Sequence, residues 1–445
     1  MVTTTLSPHS LFTCPIFEPG DPGYAAELAG IHANVVHTPD LVVGATSTAD
    51  VVAAIHHART TGMKVAVLGG GHGVDPIESG LVITMGRMND VSVDPQRKTA
   101  TFGGGTRVRD IVAAAAPFGL MPICGSTTHV GAVGYLLGGG VSPLGRSHGY
   151  SSDYLRSVTV VSGTGEVLEA SNFANQDLFW ALRGGKSALG VVTEATIQLV
   201  ELPTLYAGMI AFADEDADTV FRGWFDWTAT ADLMVTTSFA TVDFPDMELA
   251  PPPFRGKRIS FLRFAYPGDA DQGEELVAPL RALAPALLDT VGTMPSHLID
   301  QIHMDPTDPL PVWESGAQYG DLEPGFADAW IERFGTGKQS PLLMVELRHG
   351  GGAQRRDVIE GSAVTGRDAS FSLFMASFFP PFFAEAAPAA AQDMCAATAK
   401  WMLPVMNVNL LGDNPLVAPW SPEKLARIQA VRQRVDPAGI FLVRW

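Results

Sequence analysis

The chain is poor in cysteine and lacks any long apolar run. Its 445 residues include only three cysteines, Cys14, Cys124 and Cys395, which are too few and too scattered for a disulfide framework or a cysteine-rich zinc site. No uninterrupted apolar stretch reaches the roughly 18 residues that a membrane-spanning helix needs. The N-terminus lacks the basic start and apolar core of a signal peptide. We therefore expect a soluble, cytoplasmic protein.

Charge is scarce and mostly negative. Charged residues make up 17% of the chain, with 29 Lys and Arg against 47 Asp and Glu, which gives a formal net charge of −18. Such a surface repels phosphate backbones and anionic lipids, so we expect no nucleic-acid partner and no membrane partner. Apolar residues make up 46%, enough for large buried cores. A small molecule is the expected partner, and the negative charge favours a neutral or cationic one.

Several common catalytic motifs are also missing. The Gly-x-Gly-x-x-Gly and P-loop patterns are absent, so the Rossmann and nucleotide-hydrolase interpretations lose their markers. The Gly-x-Ser-x-Gly match at Gly145–Gly149 does not follow a predicted strand, so we expect no nucleophile elbow. His297 and His303 lie six residues apart with no matching carboxylate pattern, which argues against a zinc site. We expect no metal site.

Glycine, in contrast, is plentiful and concentrated in triplets. A predicted strand, Lys64–Leu68, runs directly into the loop Gly69–Gly73, which contains His72. Consecutive glycine amides form an anion nest suited to a pyrophosphate, and an imidazole there would contact whatever the phosphates carry. A tight turn with a hydrogen-bonded histidine is the alternative. The stretch Gly125–Gly140 is a second backbone-rich loop, and two such loops predict a long cofactor lying across one α+β unit.

The order of predicted elements indicates an α+β fold with two domains. Up to about residue 203 short strands alternate with helices. From about residue 206 aromatic residues become frequent, and alternating strands such as Arg258–Phe264 and Leu342–Arg348 appear. A long helix is predicted over Gly273–Leu288. We divide the chain into residues 1–204 (core about 35–203), residues 205–403, and a C-terminal segment, residues 404–445.

Several stretches in this order resemble the FAD-linked oxidases of the berberine-bridge-enzyme and vanillyl-alcohol-oxidase type, and among them the bacterial hydroxynicotine oxidases. The stretches are LGGGHG (Leu68–Gly73), LVITMGRMNDVSVDP (Leu81–Pro95), ATFGGGTRVRDI (Ala100–Ile111), HVGAVGYLLGGGVSPLGRSHGYSSDYL (His129–Leu155), DLFWALRGG (Asp177–Gly185), LGVVTEATIQL (Leu189–Leu199), VELRHGGGA (Val345–Ala353), VNLLGD (Val408–Asp413) and VDPAGIF (Val435–Phe441). The resemblance implies an FAD-binding domain built from residues 1–204 and the C-terminal segment. It also implies a substrate-binding domain, with an antiparallel sheet and helices, between them.

The resemblance implies FAD as cofactor, with His72 joined covalently to the flavin 8-methyl carbon. Many relatives carry a second covalent link through a Cys in a Gly-x-Cys-Pro-x-Val-Gly stretch, and Thr127 occupies that Cys position here. Cys124 lies three residues away, so we expect one covalent link. The cofactor-binding residues implied are Gly69, Gly70, Gly71, His72, Gly73, Gly125, Ser126, Thr127, Thr128, Val130, Gly131, Gly134, Gly190, Val192 and Asn409.

The resemblance leaves the catalytic base open. Some relatives use a Tyr-x-Asn-Tyr stretch, but the matching residues here are Asn407–Leu410 (NVNL), so both tyrosines are missing. Other relatives use a Glu on a strand of the substrate domain, and Glu346 is the matching acid. In an apolar pocket beside the flavin its pKa would be raised, which suits a base near neutral pH. An ion pair with Arg348 is the alternative. Tyr135 and His129, in the flavin-facing loop, are secondary candidates.

We expect an oxidase that removes a hydride from a C–H bond next to oxygen or nitrogen in a multi-ring or alkaloid-like molecule, with electrons passed to O₂. The missing tyrosines favour an alternative, in which FAD is kept as structure and the pocket catalyses a non-redox cyclisation or isomerisation. A dehydrogenase that excludes O₂ is a third possibility. The preference for Ala, Gly, Arg and Val over Lys and Ile indicates a bacterial protein, and we expect a role in secondary metabolism.

Overall fold

The computed structural model describes residues 12–73, 75–186, 188–248, 250–378 and 380–443. The α-helices are α1 Tyr24–Glu27, α2 Thr48–Thr61, α3 Val108–Ala115, α4 Ala132–Leu137, α5 Gly145–His148, α6 Gln176–Leu182, α7 Ala217–Thr228, α8 Ala270–Arg281, α9 Pro324–Phe334, α10 Ala386–Ala397 and α11 Pro422–Val435. The strands are β1 Ile16–Phe17, β2 Leu41–Gly44, β3 Val65–Leu68, β4 Leu81–Thr84, β5 Val91–Asp94, β6 Thr99–Gly103, β7 Leu120–Met121, β8 Leu155–Val161, β9 Val167–Ser171, β10 Val191–Gln198, β11 Val200–Glu201, β12 Thr204–Ala213, β13 Thr236–Asp243, β14 Arg258–Tyr266, β15 Ala286–Asp289, β16 Gly292–Pro295, β17 Trp313–Tyr319, β18 Met344–His349 and β19 Phe371–Ser377.

The first part of the chain forms two sheets. A four-stranded sheet has the order β1-β2-β4-β3, in which β2, β4 and β3 are parallel. Helix α2 connects β2 to β3, and its ends follow the sequence signals. The Ser47 side chain accepts a hydrogen bond from the Asp50 amide at the N-cap, and Gly62 ends the helix with a φ of 75°. The second sheet has the order β5-β6-β10-β8-β9 and is antiparallel throughout.

The C-terminal segment returns to these sheets. Phe441 forms a β-bridge with Val65 of β3, and the Leu442 amide donates to the Val65 carbonyl at 2.8 Å. The Trp420 indole N–H donates to the Gly184 carbonyl at 2.9 Å, and α11 packs against α6. The described part of the C-terminal segment thus packs on the first sheets, and the boundaries at residues 204 and 404 stay a prediction.

The second part of the chain is built on one large antiparallel sheet of eight strands. Its order is β15-β12-β14-β13-β18-β19-β17, and β16 pairs with β12. One face packs against α7, α9 and α10 in an aromatic core that includes the buried Phe221, Trp224 and Trp330. Phe221 and Trp330 are stacked, with ring centroids 4.8 Å apart. Because this face is filled with large apolar side chains, the polar residues of the same strands lie on the other face.

The predicted helix Gly273–Leu288 is wrong in its second half. Helix α8 ends at Arg281, and Ala286–Asp289 forms the edge strand β15, which pairs with β12. Pro285 explains the break, because a proline keeps the residue before it out of the helical region. Residues Ala286–Asp289, which follow the proline, then pair through their backbone with the edge of β12. An ion pair of 2.6 Å between Arg281 Nε and Asp289 Oδ2 closes the turn.

Candidate active site

The two predicted glycine loops lie back to back. A Cβ atom on Gly70 would lie 2.4 Å from the Gly131 amide nitrogen, and one on Gly131 would lie 2.7 Å from the Gly70 nitrogen. Only glycine allows two backbones to approach so closely. A Cβ on Gly73 or on Gly134 would meet nothing within 4 Å, so the loops also border open space. Gly69, at the start of the first loop, is equally open, and the nearest atom to its Cβ would be 4.0 Å away.

His72 lies within the first loop, and its surroundings favour the uncharged imidazole. Its Nδ1 is 3.2 Å from the Gly70 carbonyl oxygen, so Nδ1 carries the proton of the neutral ring and Nε2 keeps the lone pair. Burial, together with the nearby His32, Arg107 and His129, lowers the pKa of His72 to about 4, against the opposing effect of the Gly70 carbonyl. An uncharged imidazole with a free lone pair is the form that acts as a nucleophile.

The second loop is held by two aspartates that follow β16 in the chain, Asp300 and Asp305. Ser126 Oγ donates to Asp305 Oδ2 at 2.6 Å, and the Thr128 amide donates to Asp300 Oδ1 at 2.7 Å. Thr127 Oγ1 accepts a hydrogen bond from the His129 amide at 3.3 Å. The loop Gly125–Gly131 is therefore fixed from both parts of the chain. Gly125 lies against the ring of Tyr135, from which its Cβ would be 3.2 Å away.

The other positions implied for cofactor binding fall into two groups. Val130 and Val192 contribute backbone: the Val130 carbonyl accepts from the Val108 amide at 3.0 Å, and the buried Val192 side chain belongs to the core. Gly190 has a φ of 112°, and a Cβ there would lie 2.3 Å from Val160 Cγ1. These residues shape the site through their backbone and not through side-chain contacts.

Asn409 and Lys186 form the second group, beside helix α4. Asn409 Nδ2 donates to the Tyr135 carbonyl at 2.8 Å, and its Oδ1 accepts from Lys186 Nζ at 3.1 Å. Lys186 Nζ also donates to the Gly134 carbonyl at 3.3 Å. Burial lowers the pKa of Lys186 to about 8, although the Glu314 carboxylate opposes this effect. Sequence reasoning missed Lys186, because nothing in the local sequence shows that it reaches both Gly134 and Asn409.

The polar face of the large sheet carries a row of side chains across five strands. In the register of the sheet Arg263 of β14 pairs with Ser238 of β13, and Ser238 pairs with Arg348 of β18. Arg348 in turn pairs with Ser372 of β19, and Ser372 pairs with Gln318 of β17. The members of this row other than Gln318 form one wall of a cavity. The cavity is lined by Val141, Ser142, Pro143, Thr236, Thr237, Ser238, Arg263, Phe264, Ala265, Ile302, His303, Arg348, His349, Gly350, Gln354 and Ser372.

Glu346 lies behind this wall and is fully buried. Its Oε1 accepts from Ser238 Oγ at 2.6 Å and from Arg263 Nη1 at 2.7 Å, and its Oε2 accepts from Arg348 Nε at 2.7 Å. Burial would raise the pKa of Glu346, but the charges of Arg348 and Arg263, with His303, hold it well below its usual range. The expected raised pKa is therefore wrong, because the ion pair named as the alternative is present with a second arginine. Glu346 as the base remains a prediction, which these contacts disfavour.

Tyr135 and His129 lie in two different places. The Tyr135 hydroxyl donates to the Val141 carbonyl at 2.9 Å and is 2.8 Å from Ser151 Oγ, and burial raises its pKa. It is therefore a protonated group behind the cavity wall. His129 lies near His72, and its carbonyl accepts from Arg107 Nη1 at 2.5 Å. The three predicted catalytic residues thus divide between the cavity and the His72 loop.

The residues that sequence reasoning missed in the cavity are Arg263, His303 and His349. His303 was considered only as a zinc ligand, and no group of three His, Cys, Asp or Glu able to hold a metal is found in the described part of the chain. The alternation of Glu346 and Arg348 on one strand was visible in the sequence. The other partners of Glu346, Arg263 on β14 and His303 after β16, could not be found from the sequence. Their contact with Glu346 depends on how the strands pair and pack.

The site fits an extended dinucleotide such as FAD. The glycine loops provide backbone surface next to open space, and the neutral His72 lies in one of them. Residues 39–171 match the FAD binding domain family. Over 453 aligned residues the chain is 26% identical to (R)-6-hydroxynicotine oxidase of Paenarthrobacter nicotinovorans, which covers 96% of this chain and 94% of the relative. The chain is an FAD-dependent oxidoreductase.

Further comparisons support the fold of this FAD-linked oxidoreductase. A FAD-linked oxidoreductase of Aspergillus fumigatus, hasG, is 40% identical over 167 residues, 36% of each chain. The crystal structure of 6-hydroxy-D-nicotine oxidase from Arthrobacter nicotinovorans superposes with a TM-score of 0.83 at 23% identity, covering 99% of this chain and 98% of that one. The BBE-like 1 protein of Physcomitrella patens gives a TM-score of 0.82 at 20% identity, covering 97% and 96%. The predicted two-domain α+β FAD-linked oxidase fold and the family resemblance are confirmed.

In the described ranges the FAD-linked oxidoreductase has no helix that is both long and apolar enough to span a bilayer.

Proposed function

We propose that this FAD-linked oxidoreductase is an oxidase that removes a hydride from a C–H bond next to nitrogen or oxygen in a ring-bearing small molecule. When bound, FAD accepts two electrons with that hydride and passes them to O₂, which gives hydrogen peroxide. The relative (R)-6-hydroxynicotine oxidase, similar over almost the whole chain, supports an alkaloid-like substrate. Val141, Pro143 and Ala265 give the cavity apolar surface for a ring, and the row of polar side chains offers partners for its heteroatoms.

We also propose that FAD is joined covalently to His72. The observation that carries this proposal is the neutral imidazole within a glycine loop, with Nδ1 engaged by Gly70 and its lone pair on Nε2. The Gly69–Gly73 and Gly125–Gly131 loops would hold the cofactor through their backbones. Asn409 and Lys186 would border it next to Gly134. Thr127 has a hydroxyl in place of a thiol, so we expect a single covalent link.

The attachment is tested by acid precipitation of the purified holoprotein. Wild-type protein should keep its yellow colour in the pellet, whereas His72→Ala should release it into the supernatant. Thr127→Ala is the matched control from the facing loop, and its colour should stay in the pellet. Colour retained in the His72→Ala pellet would contradict the assigned link.

The reaction is tested with (R)-6-hydroxynicotine as the first probe. Oxygen uptake with an equal amount of peroxide supports the oxidase. Reduction of a dye without peroxide indicates a dehydrogenase instead.

A non-redox cyclase or isomerase that keeps FAD is the second candidate. It is favoured by the residues Asn407–Leu410, which lack both tyrosines, and by Tyr135, whose hydroxyl is already engaged by Val141 and Ser151. Substrate turnover with an unchanged flavin spectrum and no oxygen uptake would support this candidate over the oxidase.

A further inference from the structure

We propose that His303 is the catalytic base of the cavity and that Glu346 is the positioning residue that holds it in the correct tautomer. This inference rests on the proposed oxidase function and names the group that takes the substrate proton. His303 follows a 3-10 turn, Ser296–Ile302, and it lines the cavity, with a side chain that is 6% exposed.

The tautomer of His303 follows from its contact with Glu346. His303 Nε2 lies 3.3 Å from Glu346 Oε1. Because Glu346 is a carboxylate and can only accept, Nε2 must carry the proton and donate it. The lone pair of the neutral ring is then on Nδ1. Nδ1 is buried and has no hydrogen-bond partner in the described part of the molecule, so it is free to accept a proton.

The charges around His303 keep it neutral. Burial and the positive charges of Arg263 and Arg348 lower its pKa, and Glu346 opposes them. Glu346 also faces the two guanidiniums, whose charges together with burial outweigh its effect on His303. A neutral imidazole is the form that a base requires. When Nδ1 gains a proton, the adjacent carboxylate stabilises the imidazolium.

The second cavity histidine cannot take this role. His349 Nε2 lies 2.9 Å from Arg146 Nη1, and since the guanidinium can only donate, Nε2 accepts. The proton of the neutral His349 is then on Nδ1, which also lacks a partner among the residues described. The cavity therefore presents one imidazole as an acceptor, His303, and one as a donor, His349. A substrate with one N–H or O–H group and one acceptor atom matches this pair.

The proton transfer balances as follows for an amine or alcohol substrate. The substrate would be an alcohol or a protonated amine; the methylated ring nitrogen of (R)-6-hydroxynicotine carries a proton only in its charged form. It would lose the proton of its O–H or N⁺–H bond to His303 Nδ1, and the adjacent C–H hydrogen would leave as a hydride to bound FAD. The electron pair of the broken N–H or O–H bond becomes the second bond of a C=N or C=O group. Two electrons leave with the hydride, and the imidazolium later returns its proton to water.

The first test needs no substrate. In the holoenzyme labelled with ¹⁵N-histidine, the signal that disappears in His303→Gln belongs to His303. We expect a neutral ring at pH 7 with the proton on Nε2. In Glu346→Met, which removes the acceptor that Nε2 faces, we expect both tautomers of the neutral ring to be populated. A protonated His303 at pH 7, or a proton on Nδ1 in the wild type, would overturn the proposal.

The second test measures the loss of flavin absorbance after anaerobic mixing with (R)-6-hydroxynicotine. His303→Ala should lower this rate by about 10²- to 10⁴-fold, and added imidazole should restore part of it. The matched control is His297→Ala, an exposed histidine on the same turn, which should react like the wild type. A purely structural role of His303 would give no rescue by imidazole, and such a result would contradict the base assignment.

The same experiment separates this proposal from two other failures. If Glu346 is the base itself, His303→Ala should keep a rate within a few-fold of the wild type while Glu346→Gln abolishes it, and our assignment would be wrong. If the wild-type flavin is not reduced by the probe, the proposed substrate class fails. In that case the tautomer of His303, measured without substrate, still decides whether it can accept a proton.

Discussion

The His72 side of the active site and the sheet side are built on opposite principles. The His72 side is made of backbone, because Gly70 and Gly131 approach so closely that no side chain fits between them. The sheet side is made of charged side chains, in which one carboxylate is shared by Arg263, Arg348 and His303. A larger residue at either glycine would clash with backbone that cannot move. In the charge network, by contrast, the Glu346 carboxylate keeps a charged partner when one arginine is removed. A rigid backbone surface suits the proposed cofactor, whose shape does not change. Charged side chains suit the proposed substrate, which must be oriented and must lose a proton.

The largest expected effect is on the glycine contact. Gly70→Ala would place a methyl group 2.4 Å from the Gly131 nitrogen, and because both partners are backbone, neither can rotate away. We expect the free energy of unfolding to fall by about 4 kcal/mol and the bound flavin to be lost. Urea unfolding and the flavin content of the purified protein measure both effects. Gly86→Ala is the control, since its Cβ would meet nothing within 4 Å. Equal stability of the two variants would refute the backbone-contact interpretation.

A smaller effect is expected on the sheet side. Arg263→Met removes one of the two guanidiniums that hold Glu346, but Arg348 remains at 2.7 Å. We therefore expect a loss of about 2 kcal/mol, below the range for a buried charge left with no partner. Because the charge of Arg263 lowers the pKa of His303, this variant should also raise that pKa. Urea unfolding and a histidine NMR titration measure the two effects. An unchanged or lowered pKa of His303 would contradict the network.

The smallest effect is expected at Lys186, which connects Gly134 and Asn409. In the unfolded chain its pKa is 10.5, whereas burial lowers it to about 8 in the folded protein. Between these values the unfolded state binds more protons, so stability rises with pH from about 8 to 10.5, and below pH 8 the full penalty applies. The whole shift corresponds to about 3 kcal/mol.

Lys186→Met removes this penalty. Because the side chain is partly exposed and keeps two hydrogen bonds, we expect a gain of only about 1 kcal/mol at pH 7, which shrinks towards pH 9.5. Urea unfolding of wild type and variant at both pH values measures it. A difference that is the same at pH 7 and at pH 9.5 would show that the ammonium charge is not the cause.

Much of the cofactor side was predictable from local sequence. The strand before Gly69, the cap at Ser47 and the glycine at position 62 are signals within a few residues of the structure they specify. The structure brings the two glycine loops into contact at Gly70 and Gly131, and the long cofactor lying across them stays a prediction. The helix predicted over Gly273–Leu288 was wrong after Arg281. The prediction relied on the helical spacing of apolar residues and did not take into account that Pro285 interrupts a helix.

The sheet side was less predictable for a physical reason. The pKa of Glu346 depends on Arg263, which is 83 residues away in the chain, and on a strand register that no local pattern encodes. From the sequence alone, burial predicts a raised pKa, and the ion pairs reverse its direction. His303 carries no motif at all, and its tautomer is decided by the carboxylate that folding brings to 3.3 Å.

The sequence by itself therefore determined the fold class, the cofactor family and the glycine loops, because close backbone approach and strand–loop order are written in consecutive residues. Tertiary structure alone decided which charges meet Glu346, which nitrogen of His303 is free, and that Lys186 reaches Asn409. Electrostatic interactions depend on distance in space and on burial, and both are fixed only when the sheet strands pair and the two parts of the chain pack together.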